Sequence, residues 1–141
     1  MKSICRKTLE LSATFFLFAI VLDLQAADWP RFLGVHADCK SQETGLLDAW
    51  PKEGPPLEWK KVVGTGYSAP SVSNGNLVLH HRIKKEEVVE SMDPLTGKTI
   101  WTFKYPSNYI DPFGYNNGPR CTPILTQDRC YVLGAEGKLY C

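Results

Sequence analysis

The 141-residue chain carries 16 Lys and Arg against 15 Asp and Glu, and charges of both signs are interspersed, with no basic stripe. Nucleic acid and anionic membrane surfaces demand an excess of positive charge, so neither is an expected partner. With 11 Gly, 10 Pro and 11% aromatic residues, the composition suits short strands and tight turns better than long helices.

Residues 1–26 have the three parts of an export signal. Lys2, Arg6 and Lys7 give a positive start, and Leu11 to Leu22 form an apolar run interrupted only by Ser12 and Thr14. Asp23-Leu24-Gln25-Ala26-Ala27 then ends in small residues, where a peptidase can cut after Ala26. A spanning helix needs about 20 apolar residues, and Asp23 stops the run short of that. The expectation is therefore a cleaved signal and no stable membrane insertion. The first cysteine beyond the run, Cys39, stands too far downstream to be lipidated. Without a lipobox the mature chain is expected to be soluble, in the periplasm or secreted. Its basic and acidic side chains are then equal in number. Four cysteines remain, Cys39, Cys121, Cys130 and Cys141, and they form no paired CxxC of the kind that holds a metal.

Residues 27–56 read as an N-terminal extended segment. From Leu57 onward, β-branched and aromatic runs alternate with turn signals, and no run reads as a sustained helix. Leu57 to Val63 is a strand candidate. Ala69 to Ser73 and Asn76 to Ile83 flank Asn74-Gly75, the strongest short hairpin signal. Val88 to Met92 returns across a charged tip, Lys84-Lys85-Glu86-Glu87, which reads as a solvated turn. Lys98 to Tyr105 follows the turn Asp93 to Gly97. These runs describe a four-stranded antiparallel meander within residues 57–105. A loop occupies 106–119, and over 120–141 the pattern restarts. Thr122 to Leu125 and Arg129 to Leu133 flank Gln127-Asp128, and a further turn falls at Ala135-Glu136-Gly137. Placing Pro123 on Pro70 brings Leu125 onto Val72 and Cys130-Tyr131-Val132 onto Leu77-Val78-Leu79. An all-strand repeat with a period near 50 residues points to propeller blades, each a four-stranded sheet. Residues 57–141 hold under two of them and a closed propeller needs about 4–8, so the chain is expected to be the N-terminal piece of a longer protein.

The segment Ser91-Met92-Asp93-Pro94-Leu95-Thr96-Gly97-Lys98-Thr99-Ile100-Trp101 is the sharpest signal. Asp93 is placed to accept hydrogen bonds from backbone N–H groups in an Asx-type turn, and Gly97 to supply the positive φ that the turn requires. The string resembles the repeat of the pyrroloquinoline-quinone-like (PQQ-like) β-propellers, a family that includes quinoprotein dehydrogenases and the outer-membrane assembly propeller. The resemblance implies an all-β fold of antiparallel four-stranded blades. It assigns Asp93, Thr96, Gly97, Lys98 and Trp101 to the structural repeat, with Trp101 packed between blades. Asp28 to Gly34, Trp59, Gly118 to Pro123 and Gly134 to Cys141 resemble segments of the family's exported members. The resemblance says little about activity, because fold and function separate; the expected function is a non-catalytic binding or scaffolding module. The alternative is a quinoprotein-type oxidoreductase whose active site lies in blades missing from this chain. PQQ and calcium belong to that alternative alone; no cofactor is otherwise evident, and no catalytic residue is assigned.

The loop from Asn108 to Arg120 is the best local candidate for a binding site. Asp111, Asn116 and Arg120 can offer hydrogen bonds while Tyr109, Phe113 and Tyr115 stack on a protein, peptide or carbohydrate ligand. The same residues have a structural reading, in which the aromatics pin the crossover and Arg120 bonds local carbonyls. His80 and His81 are adjacent on a strand, so they point to opposite faces and cannot easily chelate one ion. Cys130 and Cys141 come opposite each other if Ala135-Glu136 is a two-residue turn. A bulged loop using Gly137 shifts the register by one and sets Cys141 opposite Tyr131; this second register is expected, without a disulfide.

Overall fold

The computed structural model describes residues 26–141; the export-signal reading of the N-terminus lies outside the described residues, apart from Ala26. Among these residues the chain is all-β and antiparallel, and none is helical. One sheet holds four strands in the order β1 (Ser71–Ser73), β2 (Asn76–Ile83), β3 (Glu86–Met92) and β4 (Thr99–Pro106). A second sheet holds three, β5 (Ile124–Leu125), β6 (Cys130–Leu133) and β7 (Leu139–Tyr140).

Turn chemistry sets these boundaries. Asn74 and Gly75 both take positive φ, 49° and 71°, as a two-residue hairpin turn matching the strand twist requires. At the β3–β4 turn Asp93 Oδ1 accepts the N–H groups of Leu95 and Thr96, each at 2.9 Å. Asp93 N donates to Lys98 O, and Gly97 N donates back to Asp93 O. The N–H of Thr96, with that of Leu95, holds the Asp93 carboxyl below the usual carboxylate range.

Register places three cross-strand rows on one face of the first sheet: Val78–Ser91–Trp101, His80–Val89–Phe103 and Arg82–Glu87–Tyr105. Side chains two residues apart along a strand share a face, and this face packs on the second sheet. Val78, Val89 and Val132 form the buried cluster, with Leu125, Cys130 and Tyr140 against it. Tyr140 lies 4.3 Å from Tyr105 and 5.3 Å from Phe103, ring centre to ring centre. Next to β1 and β5, Ser71 Oγ donates to Pro123 O at 2.6 Å. Trp29 exchanges backbone hydrogen bonds with Val72, while Pro30 O accepts from Leu125 N. The N-terminal segment thus ties the two sheets together.

Leu57 to Val63, expected as a strand, is in no sheet. It crosses the other face of the first sheet and is fastened by side chains instead. Trp59 Nε1 donates to Pro94 O at 2.9 Å, and Lys61 Nζ reaches Glu90 at 2.7 Å and Thr99 Oγ1 at 2.7 Å. Backbone pairing begins only at Thr65, which exchanges hydrogen bonds with Arg82. With this segment on one side and the second sheet on the other, β2 and β3 are covered on both faces. The charged tip is accordingly smaller than expected: Lys84-Lys85 makes the turn, and Glu87 belongs to β3 with its side chain fully buried.

Gly97 meets two demands at once. Its φ is +66°, and a Cβ there would stand 2.5 Å from the Trp59 ring. Gly97→Ala is expected to lower stability by about 1–3 kcal/mol, from overpacking and left-handed strain together. Trp59 emission should shift to the red as the ring leaves its seat. A thermal melt followed by tryptophan fluorescence checks both effects.

Candidate functional site

The loop between the sheets is built from β4 outward. Ser107 N donates to Lys85 O at 2.9 Å. The buried guanidinium of Arg82 then collects four main-chain oxygens: Lys84 at 2.9 Å, Tyr109 at 2.6 Å, Asn117 at 2.7 Å and Ser107 at 2.9 Å. An arginine can do this because its fork carries five donors in a fixed plane. Both ends of the loop are thereby tied to the end of β2.

Within the loop, Asp111 is the organising side chain. Its carboxylate accepts Tyr115 N at 2.7 Å and Asn116 N at 3.2 Å, and Arg120 approaches its other oxygen at 3.3 Å. Burial alone would raise this carboxyl. The backbone N–H groups of Tyr115, Asn116 and Phe113, with the Arg120 charge, outweigh burial and hold it below the usual range. Asn117 Oδ1 accepts from Asp111 N at 2.8 Å, and Asn116 Oδ1 from Gly118 N at 2.8 Å. Arg120 lies over the rings of Tyr67 and Tyr109, 5.9 Å and 5.5 Å from their centres, within cation–π range. It also donates to Asn116 O at 3.4 Å.

Of the four ligand candidates, Asp111 and the amide oxygen of Asn116 are engaged inside the loop. Arg120 is partly open and Tyr115 is exposed. Phe113 and Tyr115 stand side by side at the tip, 78% and 75% exposed, with ring centres 6.3 Å apart and planes 28° apart. The arrangement presents a flat, solvent-facing aromatic surface on a braced backbone, beside a guanidinium. Such a surface can stack and donate hydrogen bonds; it holds no nucleophile–base pair.

The five repeat-motif residues lie elsewhere, around the β3–β4 turn and along β4. Thr96 and Lys98 serve the turn, and Trp101 on β4 faces the second sheet across an open groove, 42% exposed. Residues 134–141 follow the bulged register. Leu133 pairs with Leu139 and Val132 with Tyr140, Gly137 has φ +79°, and Cys39, Cys121, Cys130 and Cys141 are all free. Burial, with the nearby Cys141, pushes the Cys130 thiol up to about 11.

A second polar cluster escaped the sequence reading. Glu87 Oε2 accepts the Tyr105 hydroxyl at 2.7 Å and lies 3.1 Å from His80 Nε2. The Ala135 N–H, at 3.1 Å from Oε1, joins this carboxylate to the β6–β7 turn. A Cβ on Gly134 would come 2.5 Å from the Tyr105 hydroxyl, so the turn closes directly over the cluster. Burial first, then the bond to Glu87, raises the Tyr105 pKa; the group stays a hydroxyl and donates. His81, on the opposite face, accepts from Gly64 N at 2.9 Å and faces Glu90 at 3.5 Å.

Burial lowers the pKa of both histidines below 6.5, against the pull of Glu87 and Glu90. The folded chain therefore resists protons that the unfolded chain binds. Stability should be full above about pH 6.5 and fall as pH drops through it, while the depressed carboxylates give way only below about pH 4. Melting temperatures at pH 7.5 and 5.5 check this; the drop should shrink in His80→Gln.

No group of three or more His, Cys, Asp or Glu side chains converges as metal ligands among the described residues. The two most buried carboxylates, Glu87 and Asp111, are already held by N–H and O–H donors. These residues do not form a donor set that fits a quinone–calcium pair. Compared with known proteins, the chain matches no family model, no curated protein and no solved structure.

Proposed function

We propose that the chain belongs to an exported PQQ-like β-propeller repeat protein, its two sheets being neighbouring blades, and that it works as a non-catalytic binding or scaffolding module. The supporting observation is a repeat in the backbone pairing itself. Ser71↔Val78 and Val72↔Leu77 in the first sheet recur as Ile124↔Tyr131 and Leu125↔Cys130 in the second, every partner advanced by 53 residues. Similar strand units stacked face to face are how a propeller is assembled. Connections between such units lie at a propeller face, and the Phe113–Tyr115 tip is the binding element in this reading. Its ligand is a protein, peptide or carbohydrate.

Screening the protein against glycan and peptide arrays, then measuring the best hit with Tyr115→Ser and Phe113→Ser, tests the proposal. Each variant is expected to lose binding by about fivefold or more, at unchanged melting temperature, because stacking is worth on the order of 1 kcal/mol per ring. A large fall in stability, with affinity unaltered, would assign the rings to packing. Dye-coupled oxidation of alcohols or sugars after addition of PQQ and Ca²⁺ would overturn the non-catalytic assignment.

A further inference from the structure

The turn between β6 and β7 is seated on a titratable cluster that the proposed binding element does not use. His80 on β2, Glu87 on β3 and Tyr105 on β4 converge beneath it, all three buried. Tyr105 donates to Glu87 Oε2 at 2.7 Å, and His80 Nε2 stands 2.9 Å from the Tyr105 oxygen and 3.1 Å from Glu87 Oε2. Glu87 Oε1 accepts the Ala135 N–H at 3.1 Å, and a Cβ on Gly134 would stand 2.7 Å from Glu87 Oε2. The turn is thus the lid over hydroxyl and carboxylate. Two exposed bonds complete its seat: Glu136 Oε1 accepts Asn108 N at 2.7 Å, and Lys138 Nζ donates to Pro106 O at 3.3 Å.

These contacts dictate where His80 carries its proton. Both atoms facing Nε2 are oxygens, and the one hydrogen between them, on the Tyr105 hydroxyl, is committed to Glu87. Nε2 is therefore the N–H of the neutral ring and donates into this pair. Nδ1 carries the bare lone pair, buried without a partner among the described residues. A second proton can enter only at Nδ1, where it would make a buried donor with no acceptor, a costly group. Burial is also the largest influence holding His80 below 6.5, against the pull of Glu87. Closed, the cluster excludes the proton; opened to water, the ring takes it at its ordinary value near 6.5. The charged and titratable groups packed around it are Glu87, Tyr105, Tyr140, Arg82, Glu136 and Lys138. Their residue types titrate outside about pH 5.5–7.5. Burial moves Tyr105 further up, and the bond from Lys138 moves Glu136 further down. His81 lies on the opposite face, bonded to Gly64 N.

We propose that this cluster is a pH-sensitive latch between the two sheets, holding the β6–β7 turn down in neutral solution and letting it lift as a local unit in mild acid, when His80 takes up a proton. Water reaches the cluster when Gly134 moves off it, so the lifted form is the proton-binding one. Only that form gains from protonation, and its share therefore grows as pH falls through about 6.5. The gain from pH 7.5 to 5.5 is at most about tenfold for one such group. The β2–β3 ladder stays closed during this opening, since its own backbone pairs do not pass through the turn. Because Glu136 and Lys138 hold Asn108 and Pro106, lifting the turn also loosens the start of the loop between the sheets. The latch holds whether or not the Phe113–Tyr115 tip binds a ligand.

Amide exchange at pH 7.5 and 5.5, corrected for the intrinsic rate at each pH, reads the latch directly. Ala135 should be less protected than the β2–β3 ladder at both values, and its protection should fall severalfold, up to about tenfold, on acidification. Asn108, held by the same turn, should follow it. His80→Gln keeps a donor towards Tyr105 and does not titrate, so it should flatten the response at Ala135; His81→Gln, on the opposite face, should retain it. Protection at Ala135 equal to that of the ladder at both pH values would make the opening global and overturn the proposal. So would a response at Ala135 that is absent in the unmutated protein or persists in a folded His80→Gln. Should that variant fail to fold, nitrogen NMR of the unmutated imidazole decides: at pH 7.5 Nε2 should carry the hydrogen and Nδ1 none, and the opposite tautomer would overturn the latch. Tyr115→Ser should leave the Ala135 response unchanged.

Discussion

Glu87→Ala is expected to destabilise the protein by about 2–4 kcal/mol, because it removes the acceptor of buried hydrogen bonds. The side chain is fully buried and answers three donors: the Tyr105 hydroxyl, His80 Nε2 and the Ala135 N–H. Alanine would leave the Tyr105 hydroxyl and the Ala135 N–H without their acceptor, while His80 Nε2 can turn to the Tyr105 oxygen 2.9 Å away; each buried donor left unmade costs about 1–3 kcal/mol. The loss also opens space directly beneath Gly134, where the β6–β7 turn rests on the cluster. The effect should therefore reach the second sheet as well as the first. Glu86→Ala, one residue earlier and exposed, should stay within about 0.5 kcal/mol. Urea unfolding monitored by tryptophan fluorescence compares the two; equal midpoints would show that the cluster contributes nothing.

Glu87 also marks where the sequence stops being informative. Its neighbours Lys84, Lys85 and Glu86 are charged and exposed, and a run of four charges reads as a solvated tip. The buried position of the fourth depends on Tyr105, 18 residues on, and on Ala135, 48 residues on. No local pattern carries those contacts. One clue was present: a two-residue turn at Lys84-Lys85 puts Glu87 on the same face as Val89, and hence towards the core. The alternation rule separates inside from outside only when one face of a sheet meets water. Here residues 57–66 cover one face and the second sheet the other. Polar residues His80, His81, Arg82 and Glu90 are accordingly buried on both sides of these strands.

Turns fared differently because their chemistry is local. Asn74-Gly75, the Asp93–Gly97 turn and Gly137 are each legible from residues that satisfy a backbone requirement within five positions. The 53-residue offset likewise survives into the backbone pairing. Leu57 to Val63 was misread for the opposite reason. Its β-rich composition states a preference for strand, yet no neighbouring strand pairs with it. The anchors that keep it out of a sheet, Trp59 over Gly97 and Lys61 on Glu90, are tertiary. At the candidate site the aromatic tip was visible in the sequence. The division of labour was not: Asp111 and Asn116 look like ligand groups until their hydrogen bonds are seen to be used within the loop.

Arg82→Met is expected to release that loop. The guanidinium holds four main-chain oxygens, three of them from Ser107, Tyr109 and Asn117 in the loop itself. Hydrogen bonds to a charged group are worth about 1.5–3 kcal/mol each, and their loss is not additive. A total of about 3–4 kcal/mol places the substitution among the severe ones. Methionine keeps much of the stem's packing and none of the donors, so the change reports on the hydrogen bonds. Arg82→Lys should recover little, since a single ammonium cannot span oxygens arranged around a planar fork. Amide exchange gives the site-resolved measurement: Tyr115, Asn116 and Gly118, whose N–H groups bond within the loop, should exchange faster, while the β2–β3 ladder keeps its protection. The consequence for binding follows from preorganisation. A tip held in place before encounter avoids the entropy cost of ordering it afterwards. Arg82→Met should therefore weaken any ligand of Phe113 and Tyr115 without removing an atom that touches it. Unchanged exchange in the loop would show that Asp111 alone suffices to hold the tip, leaving Arg82 to secure only the end of β2.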